Sequence, residues 1–125
     1  MEDPSDGTTG RQVIESYGDG RFRVSGRVFE GSVLVFPDRA QSWPVAEMDA
    51  VSLESLAAVV QADDAVEVLL LGCGARMAMV SKALREGLRA GGVVVEPMDT
   101  GAACRTFNVL MAEGRRVAAA LIAVV

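Results

Sequence analysis

The polar residues that could bind or transform a ligand gather at two turns in the second half of the chain. The first turn is Gly72-Cys73-Gly74, with Arg76 close behind it, and the second begins at Asp99-Thr100. Each turn follows an apolar segment and precedes a predicted helix. Ligands of open α/β sheets bind outside such strand ends, where a glycine-rich turn offers backbone N–H groups to an anion. The candidate site residues are Gly72, Cys73, Gly74, Arg76, Asp99, Thr100, Arg105 and Asn108.

The two turns also have structural explanations. The glycine turn lacks the other residues of a dinucleotide-binding or Walker loop. We favour the interpretation that it is a tight turn with a positive φ and a close approach of strand to helix. Asp99 or Thr100 could cap the following helix, which alone stabilises a helix by about 1 kcal/mol.

Arg105 and Asn108 are three residues apart, so they share one face of the predicted helix. Two interpretations stay open for this face. It lines the same crevice as the glycine turn, or Arg105 is held by a carboxylate such as Asp99 or Glu96, because an unpaired buried charge is unfavourable.

The residue types exclude several kinds of catalysis. The chain has no His, which removes Ser-His-Asp and Cys-His arrangements and every His-ligated metal site. Cys73 and Cys104 form no Cys-x-x-Cys pair, so we expect two reduced, structural thiols. We predict no catalytic residue, no metal and no cofactor. The methionines Met77, Met79, Met98 and Met111 are predicted to fill the core.

Composition limits the partners and the compartment. The 125 residues include 12 basic and 17 acidic ones, and a net charge of −5 argues against nucleic acid. Eleven of the 12 basic residues are Arg, which is typical of a GC-rich bacterial genome. The longest apolar run, 117–125, is too short to cross a bilayer as a helix, and the first residues lack the pattern of a signal peptide. We therefore expect a cytoplasmic protein.

Turn residues and apolar periodicity predict the elements that position the two turns. Residues 1–12 are predicted to be a flexible tail, and 13–125 a single domain. Residues 13–36 predict a meander of antiparallel strands, followed by an edge piece at Trp43-Pro44-Val45. Three helices are then expected to alternate with three strands, which predicts an α/β sheet covered on both faces. The predicted segments are helices at 52–61, 81–90 and 101–112 and strands at 66–71, 93–95 and from 115 onwards.

The second half also resembles a known family. The run VEVLLLGCGAR and the run EPMDTGAACRTFNVLMAEGRRVAAAL resemble the Mth938-like family, also called DUF498, which includes a mitochondrial assembly factor for respiratory complex I. The resemblance covers roughly residues 13–122. It implies a three-layer α/β fold with a mixed central sheet flanked by helices and a small antiparallel β layer. The family more often has Thr at Cys73 and Tyr at Phe107, so chemistry that needs either hydroxyl is in doubt.

Two functions follow as hypotheses. The first is a non-catalytic protein-interaction or assembly-factor module whose partner belongs to a membrane-associated complex, as the resemblance implies. The alternative is a small anionic-ligand-binding protein or enzyme that uses a crevice formed by residues 72–76 and 99–108. The sequence does not identify the partner or the oligomeric state.

Overall fold

Eight strands and three helices follow each other in the part of the chain that the computed structural model describes, residues 11–62 and 65–125. Most of the predicted tail, and the Asp63-Asp64 pair predicted to end the first helix, lie outside these residues. The strands are β1 Ile14–Gly18, β2 Arg21–Val24, β3 Arg27–Glu30, β4 Val33–Val35, β5 Ala40–Ser42, β6 Val68–Gly72, β7 Val94–Met98 and β8 Val117–Leu121. The helices are α1 Ala57–Val60, α2 Lys82–Ala90 and α3 Thr100–Ala112.

The first three strands form a small antiparallel sheet in the order β1-β2-β3. The turn between β1 and β2 contains Asp19 and Gly20 with positive φ, and the turn between β2 and β3 contains Ser25 and Gly26 with positive φ. Tight hairpins require this left-handed backbone, which explains the Gly and Asp residues there. In β2, Phe22 and Val24 are buried and the intervening arginines are exposed, as the alternation predicted.

The central sheet has five strands in the order β5-β4-β8-β6-β7. β6 runs parallel to β7 and β8, whereas β4 runs antiparallel to β8 and β5, so the sheet is mixed. β6 and β8 are central, and every residue of β8 is buried. Central strands are covered on both faces, which is why their sequences are continuously apolar rather than alternating.

Two apolar cores lie on opposite faces of the central sheet. One contains Leu56, Val59 and Leu88, so α1 and α2 cover that face. The other contains Phe107 of α3 together with Phe22 and Phe29 of the small sheet. The expected three-layer α/β fold, with helices on both faces and a small antiparallel layer, is therefore confirmed.

Three local predictions need correction. The strand that follows Glu30-Gly31 leaves the meander and joins the central sheet as β4, because all three of its residues are buried there. The edge strand is Ala40–Ser42, just before the predicted piece at Trp43. The helix expected at 52–61 is a 3₁₀ turn at Glu54–Leu56 followed by α1, and Ser52 Oγ accepts a hydrogen bond from Ser55 N at 3.0 Å.

The methionine prediction is wrong for two residues. Met111 is buried in the core and Met98 is half-buried against it. Met77 and Met79 instead lie on the surface of the connection between β6 and α2. Four apolar residues follow one another at 77–80, so the residue types alone did not indicate which side chains face inwards.

Candidate functional site

The two turns meet at one edge of the central sheet. β6 and β7 are parallel neighbours, and their last residues, Gly72 and Met98, are paired in register. Backbone hydrogen bonds continue past this pair, from Cys73 N to Met98 O at 2.8 Å and from Thr100 N to Gly74 O at 2.8 Å. The bends at 72–74 and 99–101 therefore lie together, as a crevice formed by 72–76 and 99–108 would require, because the carboxyl ends of parallel strands share an edge.

Thr100 occupies the space between the two turns. Its side chain is fully buried, and its Oγ1 accepts a hydrogen bond from Gly74 N at 2.9 Å. The same hydroxyl donates to Ile122 O at 2.8 Å, just after β8. One side chain therefore ties together the ends of β6, β7 and β8, and both of its polar functions are satisfied.

Gly72 and Gly74 serve this contact in different ways. A Cβ on Gly72 would lie 3.0 Å from Thr100 Cα and from Leu121 Cδ2, so a side chain there would force neighbouring atoms apart. Gly74 has a φ of +102°, a conformation that residues with a side chain rarely adopt. The favoured interpretation of the glycine turn as a tight, positive-φ approach is consistent with this geometry.

The other residues of the first turn lie at its surface. Cys73 is half-buried, and its Sγ lies 3.5 Å from Leu71 O and 3.9 Å from Ala78 O. Arg76 is exposed and forms no ion pair with any residue in the described ranges. The turn thus places a thiol against backbone carbonyls and a cation in solvent.

Asp99 caps helix α3, as one of the sequence alternatives proposed. Its Oδ1 accepts a hydrogen bond from Ala102 N at 2.9 Å. Gly101, two residues after Asp99, is buried, and a Cβ at this position would collide with the hydroxyl of Tyr17 from β1. The glycine therefore lets the phenol ring lie directly on the first turn of the helix, a contact between distant segments that no local pattern indicated.

Asn108 fastens strand β1 to helix α3. Its side chain receives a hydrogen bond from Ile14 N and donates one to Ile14 O, both at 2.9 Å. The amide thereby acts like a strand partner beside the irregular pairing between Ile14 and Ser16. Asn108 therefore has a structural role, because both polar groups of its side chain are hydrogen-bonded to the backbone of Ile14.

Arg105 lies one helical turn away from the N-terminus of α3 and is exposed. It forms no ion pair with Asp99, with Glu96 or with any other residue that the structure describes. It lines a cavity of about 280 Å³ between α3 and β1, away from the contact made by Thr100. The cavity is lined by Ile14, Glu15, Ser16, Tyr17, Cys104, Arg105 and Asn108. Of the eight candidate residues, only Arg105 and Asn108 line this cavity, and the other six belong to the two turns or, like Arg76, extend from them into solvent.

The cysteine in that cavity has a strongly perturbed thiol. Burial raises the pKa of Cys104 from 9.0 to about 12, while the positive charge of Arg105 acts in the opposite direction. The thiol is therefore protonated at neutral pH, and the thiolate that a nucleophile needs is scarce. Neither Cys104 nor Cys73 is in a disulfide. Among the described residues, no group of three or more His, Cys, Asp or Glu residues could hold a metal ion.

A larger apolar groove, about 530 Å³, lies elsewhere, beside the end of β8. It runs between the segment Trp43–Ala46 and Ala123. Sequence reasoning did not indicate it, because its two walls are about 80 residues apart along the chain. The Trp43 indole is buried next to it and donates a hydrogen bond from Nε1 to Ser55 O at 2.8 Å.

Comparison with known proteins settles the family. The model of the family described as "Protein of unknown function (DUF498/DUF598)" matches residues 14–122. The chain belongs to this family. A solved structure from Bordetella pertussis, described as a Mth938-like domain, superimposes with a TM-score of 0.77 at 32% identity, covering 98% of this chain and 90% of that one. The resemblance seen in the sequence is confirmed.

Two relatives bear on function. An uncharacterized protein of Rhodobacter capsulatus is 40% identical over 93% of this chain and 88% of its own length. NADH dehydrogenase [ubiquinone] 1 alpha subcomplex assembly factor 3 of Danio rerio is 39% identical over 88% of this chain and 63% of its own length. The chain thus spans less than two thirds of that assembly factor. No helix in the described ranges has both the length and the apolar character that a membrane span requires.

Proposed function

We propose that this chain is a non-catalytic protein-interaction module that helps a membrane-associated protein complex to assemble. The observation that carries the proposal is its similarity to assembly factor 3 of NADH dehydrogenase, which extends over 88% of the chain. The matched region takes in almost the whole fold of this chain and 63% of the length of that relative. A complex related to that dehydrogenase is accordingly the partner we propose.

The geometry of the candidate site supports a role without catalysis. Thr100 and Asn108 use their side-chain polar groups in bonds that hold the fold together. Asp99 is the helix cap, and burial keeps the Cys104 thiol protonated. These groups are engaged in stabilising the fold, whereas an enzyme would direct them at a substrate.

Deleting the gene in its own host tests the assembly role. We expect less fully assembled NADH dehydrogenase on native gels, with subcomplexes accumulating, and restoration by the wild-type chain. A Cys104→Ala variant should restore assembly as well as the wild type, since no nucleophile is required; it serves as the control for catalysis. Unchanged levels of the assembled complex in the deletion strain would contradict the proposal.

A second candidate function is the binding of a small anion beside Arg105. The observation in its favour is that this guanidinium has no ion-pair partner among the described residues and lines a cavity. Glu15 also lines that cavity but is engaged, since its carboxylate accepts a hydrogen bond from Gly26 N at 2.8 Å and lies 3.5 Å from Arg23 Nε.

Thermal unfolding in the presence of phosphate, citrate or succinate tests this second function. A ligand that binds only the folded chain raises the melting temperature with concentration. The shift should disappear in Arg105→Ala and be reduced in Arg105→Lys, because Lys lacks the bidentate geometry of Arg. Equal shifts in the wild type and in Arg105→Ala would sink the idea.

A further inference from the structure

Two methionines of the connection between β6 and α2 are exposed to solvent. Burial alternates along residues 77–80, with Val80 in the core, Ala78 half-buried and the two methionines exposed. Alternate side chains of an extended segment point in opposite directions. Met77 and Met79 therefore face outwards together, with 57% and 85% of their surfaces exposed. A surface segment usually has polar residues at such exposed positions, whereas this one has two large apolar residues.

Positively charged residues precede and follow these methionines along the chain. Residues 76–89 contain four of the chain's 12 basic residues and one of its 17 acidic ones, so this segment has a net charge of +3. Lys82, Arg85 and Arg89 recur at helical spacing and lie along one side of α2. No ion pair joins any of the four cations to another residue within 11–62 and 65–125.

The rest of the molecule has the opposite charge. Outside residues 76–89 the chain carries 8 basic and 16 acidic residues, a net charge of −8. An anionic surface would repel this part and attract the basic segment, which favours the orientation that turns residues 76–89 towards that surface. Charge complementarity thus specifies an acidic occupant for this surface.

The shape of the surface distinguishes between acidic occupants. A side chain with 85% of its surface exposed projects from the protein and does not line a groove. A peptide helix or strand docks best into a concave site, whereas the interface of a bilayer deforms around a projecting apolar side chain. Lys82 follows Met79 by three residues, so its Cα lies within about 11 Å of that methionine. Its ammonium can reach the headgroups while the methionine enters below them.

We propose that residues 76–89 dock this protein on a bilayer containing anionic phospholipids. Met77 and Met79 enter the interfacial region, and Arg76, Lys82 and Arg89 contact the lipid phosphates. Glu86, the one acidic residue of the segment, lies among these cations and reduces the attraction. Apolar insertion and charge attraction each contribute to peripheral binding of this kind.

Sedimentation with lipid vesicles tests the proposal on the full chain. We expect binding to phosphatidylcholine vesicles that contain phosphatidylglycerol, weak or no binding to pure phosphatidylcholine, and a loss of binding as salt is raised. Lys82→Gln and Arg89→Gln should each weaken binding about fivefold. Met77→Ser with Met79→Ser should weaken it about tenfold or more, because two apolar side chains no longer enter the interface.

A matched control uses exposed apolar residues elsewhere. Val28 and Val109 have 52% and 56% of their surfaces exposed, on β3 and α3. The Val28→Ser, Val109→Ser double variant should bind anionic vesicles as the wild type does. Failure of the wild type to bind anionic vesicles overturns the proposal, and so does wild-type binding by the methionine variant. Retention on immobilised polyglutamate without vesicle binding also overturns it, in favour of an acidic protein partner.

Discussion

The connection between β7 and α3 and the connection between β6 and α2 begin at neighbouring points on one edge of the central sheet. The first is a single residue, Asp99, whose Oδ1 caps the helix, and the hydroxyl of the adjacent Thr100 both accepts and donates a hydrogen bond within the fold. The second runs from 73 to 81 and leaves two methionines and Arg76 in solvent. One of the two hypotheses from the sequence treated both as parts of one ligand crevice. The difference indicates that the first holds the fold together and the second is available to a partner.

Thr100→Val should have the largest effect. Val keeps the volume of the side chain but removes the hydroxyl, which leaves Gly74 N and Ile122 O without their hydrogen bonds. Leaving buried polar groups unsatisfied lowers the free energy of unfolding by about 2–4 kcal/mol for the pair. Urea denaturation followed by circular dichroism measures the change.

Thr106→Val is the control for this change. Thr106 lies on the same helix, and its hydroxyl makes no side-chain hydrogen bond to residues in the described parts of the chain. We expect a stability within about 0.5 kcal/mol of the wild type. If both threonine variants lost the same stability, the special role of Thr100 between the turns would be refuted.

A pair of glycine substitutions sharpens the contrast. Gly72→Ala places a methyl group against the backbone of Thr100, which cannot move freely, and should reduce stability by about 1–3 kcal/mol. Gly87→Ala on α2 meets only the end of the Leu53 side chain, which can rotate, and it gains helix propensity. Its stability should therefore stay within about 1 kcal/mol of the wild type. Thermal unfolding of both variants measures these changes. A larger loss of stability in Gly87→Ala than in Gly72→Ala would contradict this account.

Because the Cys104 thiol is buried, the stability of the fold should depend on pH in the alkaline range. The folded state raises the pKa of Cys104 from 9.0 to about 12, so the unfolded chain loses this proton first as the pH rises. The contribution of the thiol is complete below pH 9 and is lost progressively between pH 9 and 12. The stability difference between wild type and Cys104→Ala should shrink by about 1 kcal/mol from pH 8 to pH 10. Urea unfolding of both proteins at pH 8 and pH 10 measures this change. The same stability difference at both pH values would contradict the prediction.

The open connection should tolerate change. Met77→Ser with Met79→Ser removes side chains that are mostly in solvent, so we expect a stability within about 0.5 kcal/mol of the wild type. The same variant is the one that should lose vesicle binding, which separates docking from folding. A large loss of stability, measured by urea denaturation, would show that the methionines are part of the core after all.

Local sequence patterns predicted much of the structure around the two turns at 72–74 and 99–101. The order of elements, a helix cap at Asp99 or Thr100 and the adjacency of the two turns all follow from short-range rules about helices and parallel strands. Gly72 was singled out as well, because a glycine between strand and helix indicates close packing. These features depend on residues within one element or on the fixed geometry of neighbouring strands.

Contacts between distant segments could not be predicted in this way. The Thr100 hydroxyl meets Ile122 O, the Asn108 amide meets Ile14, and Tyr17 covers Gly101. In each case the partner is a backbone group or lies on another element, and neither leaves a signal in the sequence. The exposure of Met79 was missed for a related reason, since only the burial of Val80 fixes which side of the segment faces outwards.

The position of β8 also affects how the chain can be made. Although it follows the seven other described strands along the chain, it lies between β4 and β6 and is the link between the β4–β5 pair and the β6–β7 pair in the central sheet. While the ribosome is still adding residues before Val117, these two pairs have no strand to join them. We therefore expect the sheet to close only after β8 has emerged, and nascent chains halted earlier to expose the edges of β4 and β6 to chaperones.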